Sequence, residues 1–463
     1  MNRSRPNVVV FFTDQQRWDS SGLHGNPLNL TPHFDRFAQA HTHVAHSFSC
    51  QPVCGPARAC FQTGQYATTN GVYDNSFSLP KDRPLLAEQF RDAGYRTGYI
   101  GKWHLANDAE PMPGDENLHG PVAPEDRGGY QDWLAANIFE FTSLPYDCVL
   151  YDENGKPRKL PGYRSDACVD AAIRYVDEHR DEPFFLMLSV IEPHHQNSLY
   201  DYTPPNGYRE PYTDRWTPPD LAELPGTANQ HLGGYWGAIK RVDEGFGRFM
   251  DALESLELEE DTIVLFTSDH GCHFETRPGQ DKRTWHESSA RVPTALMGPG
   301  FEGGGRVKEL VNLVDLPATL LDAAGLDVPE TFEGRSILPL VRGEPEAKAD
   351  WPEEVFIQPI SNMVVARSVR TQRWKYAVRA EGGLLESGHS PDTYREAELY
   401  DLKYDPYELS NLAGRKSHRR VCEVMRERLL KRMREVGEAE PTITPADARG
   451  GGQRVVSEAE AMA

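Results

Sequence analysis

Short runs of consecutive apolar residues punctuate this chain, and each ends in a polar cluster. Val8-Val9-Val10-Phe11-Phe12 ends at Thr13-Asp14-Gln15-Gln16, and Tyr95 to Ile100 ends at Gly101-Lys102-Trp103-His104. Phe184 to Val190 ends at Glu192-Pro193-His194-His195, and Thr262 to Phe266 at Ser268-Asp269-His270-Gly271. Such runs predict strands buried on both faces. Between the last two, Ile239, Val242, Phe246, Phe249 and Leu253 step by 3, 4, 3 and 4, which predicts a helix. Pro84 to Arg91, with Gly94 as its cap, and Val311 to Ala324, closed by Gly325, predict two more. Apolar strands alternating with helices predict an α/β fold, a mostly parallel sheet sandwiched by helices, over residues 1–345. Ligands in such folds bind at the carboxyl ends of the strands, which is where all four polar clusters fall.

After about residue 345 the texture changes. Ala347 to Glu354 is charged, contains Pro352 and suits a linker. Val364 to Val378 alternates like a strand, Leu399-Tyr400-Asp401-Leu402 follows, and Val421 to Val436 reads as a helix. These predict a small C-terminal α+β domain with an antiparallel sheet over 355–440, then a flexible tail over 441–463 that holds Gly450-Gly451-Gly452. Ala106 to Tyr163, rich in Pro, Gly and acid, is expected to be a loop excursion over the site.

Of the 463 residues, 49 are Lys or Arg and 70 are Asp or Glu, a net charge of −21. That balance argues against nucleic-acid binding and requires a local basic pocket for any anionic substrate. No run reaches the ~18 apolar residues of a membrane span. No secretory leader is visible, so the chain as written is expected in the cytoplasm, or outside it if a leader has been trimmed. Seven scattered cysteines do not form a disulfide framework, and Cys50, Cys54 and Cys60 lack the second half of a zinc ribbon. Nothing in the sequence reports the oligomeric state.

The most informative run is Cys54-Gly55-Pro56-Ala57-Arg58, followed by Thr63-Gly64. It resembles the signature of the type I sulfatases of the alkaline phosphatase superfamily, C-x-P-[S/A]-R with T-G shortly after. Thr13-Asp14-Gln15, Gly101-Lys102-Trp103-His104, Pro193-His194, Ser268-Asp269-His270-Gly271, and Lys282 with Glu287 and Arg291-Val292-Pro293 are similar to that family's blocks, in its order. Arg370-Thr371 to Lys375-Tyr376, and Glu398-Leu399-Tyr400-Asp401-Leu402 to Asn411-Leu412-Ala413, are similar to its C-terminal domain, so the resemblance spans about residues 7–415. It implies an alkaline-phosphatase-like fold and hydrolysis of sulfate esters, expected on a sulfated saccharide. It also implies a maturation enzyme that oxidises Cys54 to formylglycine.

Asp14, Gln15 and Asp269 offer hard oxygen ligands from two strand ends, which suits Ca²⁺, and the resemblance adds His270 to that shell. Many members carry Asp at the position of Gln15 and Asn at that of His270. The imidazole admits softer ions such as Mn²⁺ and keeps open a phosphonate monoester or phosphodiester hydrolase of the same superfamily. A silent metal-binding scaffold with unconverted Cys54 is a third reading. Lys102 and Lys282 suit a tetrahedral anion, with Arg283 as an alternative to Lys282. Arg58, one helical turn past Cys54, is implied to orient the formylglycine hydrate. His104 and His194 are the acid–base pair: by resemblance His104 takes a proton from the hydrate and His194 faces the leaving oxygen. In the implied mechanism one hydroxyl of the hydrate attacks sulfur and the second collapses to expel sulfate. His195, His273 and His286 are expected outside direct catalysis. Trp133, Tyr151 and Tyr163 are candidate sugar-stacking rings, with plain packing the stronger expectation, and the acid excess favours short saccharides.

Overall fold

The computed structural model describes residues 5–110, 112, 118–450 and 455–463. Among them the main sheet has ten strands: β1 (Asn7–Thr13), β2 (Thr42–Phe48), β3 (Arg96–Lys102), β4 (Asp132–Ala136), β5 (Cys148–Tyr151), β6 (Pro157–Leu160), β7 (Phe184–Ser189), β8 (Thr262–Ser268), β9 (Arg291–Met297) and β10 (Arg306–Asn312). Their order is β10-β2-β9-β8-β1-β7-β3-β4-β5-β6. The central block β8-β1-β7-β3-β4 is parallel, as the apolar runs predict, whereas β9 and the β5–β6 hairpin are antiparallel.

Every residue of β1, β7 and β8 is buried, because both faces are covered. Val8, Val10 and Phe12 face the layer that contains the helices Cys54–Thr63, Leu86–Asp92 and Asp315–Ala323, while Val9 and Phe11 face the other. There the helix Ala228–Ser255 presents Val242, Phe246, Phe249 and Leu253, with the Phe246 ring 5.2 Å from that of Phe11.

Several expectations are corrected. The helix predicted from Val311 starts at Asp315, since Val311 and Asn312 finish β10 and the Asp315 carboxylate accepts from the Asn312 amide at 2.7 Å. The 106–163 segment is not one loop excursion: it supplies β4, which continues the parallel sheet with Trp133 opposite Tyr99, then the helix Phe139–Thr142 and β5–β6. Residues 111 and 113–117 of that segment lie outside the described residues. Trp133 is buried in core packing against Tyr99 and Trp103, and buried Tyr163 donates to the Thr203 carbonyl at 2.9 Å. Their burial makes both core, the stronger of the two expectations for them, and Tyr151 on β5 is half-buried against the core.

A second sheet follows, made of β11 (Val355–Ile357), β12 (Ala366–Arg370), β13 (Trp374–Arg379), β14 (Thr393–Asp401) and β15 (Thr442–Thr444). It is antiparallel through β14, and β15 joins β14 in parallel. The helix Arg419–Glu435 covers it with Val421, Met425, Leu429 and Met433. The expected linker is partly a helix, Pro345–Asp350, and Glu354 beyond it is paired with Arg428 at 2.7 Å. The stretch after 440, expected to be loose, is tied down where it is described. It supplies β15 and the helix Glu458–Met462, whose Glu460 carbonyl accepts from Trp374 at 2.8 Å. Buried Lys375 joins the two sheets, pairing with Glu287 and Glu408 at 2.8 Å each. Among the described residues no helix is long and apolar enough to cross a membrane.

Candidate active site

The parallel strands deliver their polar clusters to one point. β1 ends at Asp14 and Gln15, the latter at φ 69°; β3 ends at Lys102 and leads to His104 at φ 59°; β8 leads to Asp269 and His270; and the loop after β7 carries His194. The helix Cys54–Thr63 begins at Cys54 itself, after extended Val53, and is entirely buried. Gly55 lets the helix start pack closely, because a Cβ there would lie 3.1 Å from the Asn75 Oδ1 and 3.2 Å from the His104 carbonyl, tighter than ordinary contact. One turn along the helix, Arg58 points back toward the strand ends.

Cys54 Sγ lies 2.9 Å from Lys282 Nζ, 3.2 Å from His270 Nε2 and 3.6 Å from Asp14 Oδ1. Arg58 is a clamp: Nη2 donates to Asp14 Oδ2 at 3.0 Å and to Asp269 Oδ2 at 3.2 Å, and Nη1 to the Lys102 carbonyl at 2.9 Å and Ser189 Oγ at 2.7 Å. Lys102 Nζ is 2.9 Å from Asp14 Oδ2 and 3.1 Å from Glu140 Oε1. Lys282 Nζ also donates to Gln15 Oε1 at 3.2 Å and approaches His194 Nε2 at 3.1 Å. The His194 Nδ1 lies 2.6 Å from the His195 carbonyl. A carbonyl only accepts, so Nδ1 carries the proton and Nε2 turns its lone pair to Lys282.

These charges bias one another. Burial opposes ionisation of the Cys54 thiol, but Lys102, Lys282 and His270 outweigh it and hold its pKa well below the usual value. Burial and Cys54 push Asp14 up, yet Lys102, His194 and Arg58 win and hold its carboxyl well below the ordinary range. Asp269 goes the other way: burial, then its neighbour Asp14, push it up to about 7. Burial, Lys282 and Lys102 lower His194. The donor set fits a divalent cation. Single ligand atoms of Asp14, Cys54, Asp269 and His270 all lie within 4.8 Å of one another, and the two carboxylates repel in a site from which water is largely excluded. Gln15 turns its carbonyl oxygen toward Lys282, because its amide nitrogen donates to the Tyr202 hydroxyl at 3.0 Å and Cys272 Sγ at 3.4 Å.

Thus Asp14, Gln15, Cys54, Arg58, Lys102, His104, His194, Asp269, His270 and Lys282 meet in one buried cluster. Arg283, the alternative to Lys282, points to Asp74 Oδ2 at 3.7 Å. His195 packs on the Tyr202 ring, His273 meets the Lys282 carbonyl at 3.0 Å, and His286 pairs with Glu398 at 2.9 Å. Sequence reasoning missed Glu140 and Ser189. Glu140 sits in a segment read as loop, whereas Ser189 lies inside the predicted strand run Phe184 to Val190 and ends the observed β7; as the polar residue closest to the carboxyl end of that apolar run it could have been found.

The Sulfatase family model matches residues 6–326, and the model for the C-terminal part of N-sulphoglucosamine sulphohydrolase matches residues 279–435. The chain is 29% identical to an ulvan-active sulfatase of Formosa agariphila, covering 94% of this chain and 82% of the relative. It is 24% identical to an N-acetylglucosamine-6-O-sulfatase of Bacteroides thetaiotaomicron, over 89% and 83%. A solved structure from work on the metabolism of multiple glycosaminoglycans by Bacteroides thetaiotaomicron has the same fold, with a TM-score of 0.81 at 22% identity and coverage of 94% and 97%. With the family match covering the whole strand-end cluster and well over half of its length, this chain belongs to the sulfatase family of the alkaline phosphatase superfamily.

Proposed function

We propose that this protein hydrolyses a sulfate ester of a short saccharide, releasing inorganic sulfate, and that Cys54 is first oxidised to formylglycine by a maturation enzyme. The carrying observation is the convergence of Lys102, Lys282 and Arg58 with Asp14 and Asp269 around the side chain at position 54. Saccharide specificity is supported by the ulvan-active and N-acetylglucosamine-6-O-sulfatase relatives.

Hydrated formylglycine supplies a hydroxyl nucleophile and a second hydroxyl whose collapse frees the sulfate, which a thiolate lacks. A divalent ion, Ca²⁺ or Mn²⁺, held by Asp14, Gln15, Asp269 and His270, supplies a Lewis acid for the sulfate oxygens. The remaining work falls to this chain's own groups. Lys102 and Lys282 neutralise the anion. Arg58 fixes both aspartates and, through Ser189 and the Lys102 carbonyl, the end of β3. The Lys282–His194 pair holds a proton at 3.1 Å for the leaving oxygen, and His104 accepts one from the group at position 54.

The test is sulfate release from a panel of defined sulfated saccharides, with an aryl phosphonate monoester assayed alongside. The protein used has Cys54 conversion verified by mass spectrometry. Turnover of at least one saccharide sulfate, abolished by Cys54→Ala with the fold intact, is expected. Full activity from unconverted Cys54, or a clear preference for the phosphonate, would overturn the reading.

A further inference from the structure

Glu140 is a negative charge placed where a site for an anion would be expected to collect only positive ones. It lies on the helix Phe139–Thr142, just after β4, and is 4% exposed. Its Oε1 meets Lys102 Nζ at 3.1 Å, and its buried Oε2 has no hydrogen-bond partner among the described residues. The segment is braced rather than free to swing away. Gln196 Nε2 donates to the Glu140 carbonyl at 2.8 Å, and Arg164 Nη1 ties the Ser143 carbonyl, at 3.1 Å, to Gln196 Oε1, at 2.9 Å. Arg164 is itself anchored to Glu192 at 3.0 Å. Burial pushes the Glu140 carboxyl up, but Lys102, His194 and His104 overcome this and hold it down at about 2, so it is ionised across the working pH range.

Asp14 and Asp269 have a reason to be there, since they belong to the metal cluster; Glu140 does not. Its charge shares Lys102 Nζ with Asp14: the Glu140 Oε1 lies 3.1 Å from that ammonium and the Asp14 Oδ2 2.9 Å. A sulfate ester carries one negative charge. A phosphate monoester of the same shape carries two once its second proton is lost near pH ~6. The extra charge on a phosphate held by Lys102 would lie roughly 6 Å from Glu140, two hydrogen-bond lengths away through Nζ. At an effective dielectric of about 20, Coulomb repulsion over that distance is on the order of a tenfold to hundredfold discrimination.

We propose that Glu140 is a specificity residue that keeps this site selective for singly charged esters by repelling the dianion of an otherwise isosteric phosphate monoester. The proposal rests on the sulfatase reading above.

The experiment measures kcat/KM for 4-nitrophenyl sulfate and 4-nitrophenyl phosphate between pH 5.5 and 8.5, with inhibition by inorganic sulfate and inorganic phosphate as a binding readout. Wild type, Glu140→Gln and Glu140→Asp are compared, each with Cys54 conversion and metal content verified. Glu140→Gln should raise the phosphate-to-sulfate ratio about 10- to 100-fold at pH 8, tighten phosphate inhibition in parallel, and have much less effect at pH 5.5. Glu140→Asp keeps the charge and should stay within about threefold of wild type. In wild type alone, the phosphate-to-sulfate ratio should fall as pH rises past ~6, which tests the idea even if Glu140→Gln folds poorly. A wild-type ratio that rises there, a Glu140→Gln variant with the ratio unchanged, or an aspartate variant that shifts it as far as glutamine would overturn the assignment. A wild-type enzyme inert toward the sulfate ester would overturn the proposed function itself.

Discussion

Replacing Lys102 by methionine tests the charge compensation this lysine provides inside the fold, apart from the anion binding proposed for it. Lys102 is fully buried between Asp14 at 2.9 Å and Glu140 at 3.1 Å. Methionine fills much of the space and leaves two carboxylates without their shared cation. Breaking one side of a buried pair costs about 3–5 kcal/mol. The Glu140 carboxyl sits at about 2 instead of 4.5, the net of burial, which raises it, and of Lys102, His194 and His104, which lower it. At ~1.4 kcal/mol per pH unit that net difference is about 3 kcal/mol for the whole surroundings, of the same order as the loss of one buried pair. The sign follows from the direction. In wild type the depressed carboxyl contributes stability above its unfolded value of 4.5, lost as pH falls toward 2. Without Lys102 the largest lowering influence is gone while burial remains, so the carboxyl rises and less stability is lost on acidification than in wild type. An unfolding entropy of ~2.1 cal/mol/K per residue gives roughly 1 kcal/mol/K for a chain of this length, and hence a Tm drop of about 3–5 °C at pH 7.5. The assay is thermal unfolding at fixed scan rate from pH 7.5 to 5.0 for wild type, Lys102→Met and the double variant Lys102→Met/Glu140→Gln. The gap to wild type should narrow on acidification, and the double variant should regain part of the loss. A Lys102→Met protein as stable as wild type, or a deficit that ignores both pH and the second substitution, refutes the charge argument.

Three further outcomes follow from the geometry. Lys282→Met should lower kcat/KM on an aryl sulfate by about 10²–10³-fold, the scale of losing one transition-state donor, while Arg283→Met, which faces Asp74, should stay within about threefold; equal losses would remove Lys282 from the anion site. His194→Asn should slow a saccharide sulfate far more than 4-nitrophenyl sulfate, since a phenolate leaves without a proton, and equal slowing on both would exclude a role at the leaving oxygen. Burial, with Arg306 and Arg291 adding to it, pushes His43 down to about 4 from 6.5. Its contribution to stability is present above 6.5 and lost as pH falls toward 4, by up to about 3 kcal/mol. Thermal unfolding at pH 7.5 and 5.0 should therefore show a shallower acid loss for His43→Gln, and an identical slope would discard His43 as a source of acid sensitivity.

Much of this protein was legible along the chain because its information is local. An apolar run followed by a polar cluster fixes both a buried strand and what its end displays, so Asp14, Lys102, His194 and Asp269 could be assigned to one edge without coordinates. The spacing from Cys54 to Arg58 is one helical turn, which puts both on the same side of the helix that starts at Cys54. The resemblance to the sulfatases rested on these same local blocks.

What needed the tertiary structure is whatever depends on partners far apart in sequence. The sequence left Trp133 and Tyr163 open between packing and a sugar-stacking role, and tertiary structure decides for packing: β4 pairs with β3 and draws Trp133 into the core, and Tyr163 is buried with its hydroxyl on the Thr203 carbonyl. The choice of Lys282 over Arg283 is a matter of which way adjacent side chains leave the backbone, and Arg283, at φ 74°, turns to Asp74. Glu140 gives no sequence signal at all. Its importance comes from a 3.1 Å contact with Lys102, 38 residues earlier, made only because two parallel strands end side by side. Local pattern determined the elements and the residues at their ends. Only the packing of those elements decided which charges are buried together, because Coulomb energy depends on distance in space and on the exclusion of water, and neither is written in the order of residues.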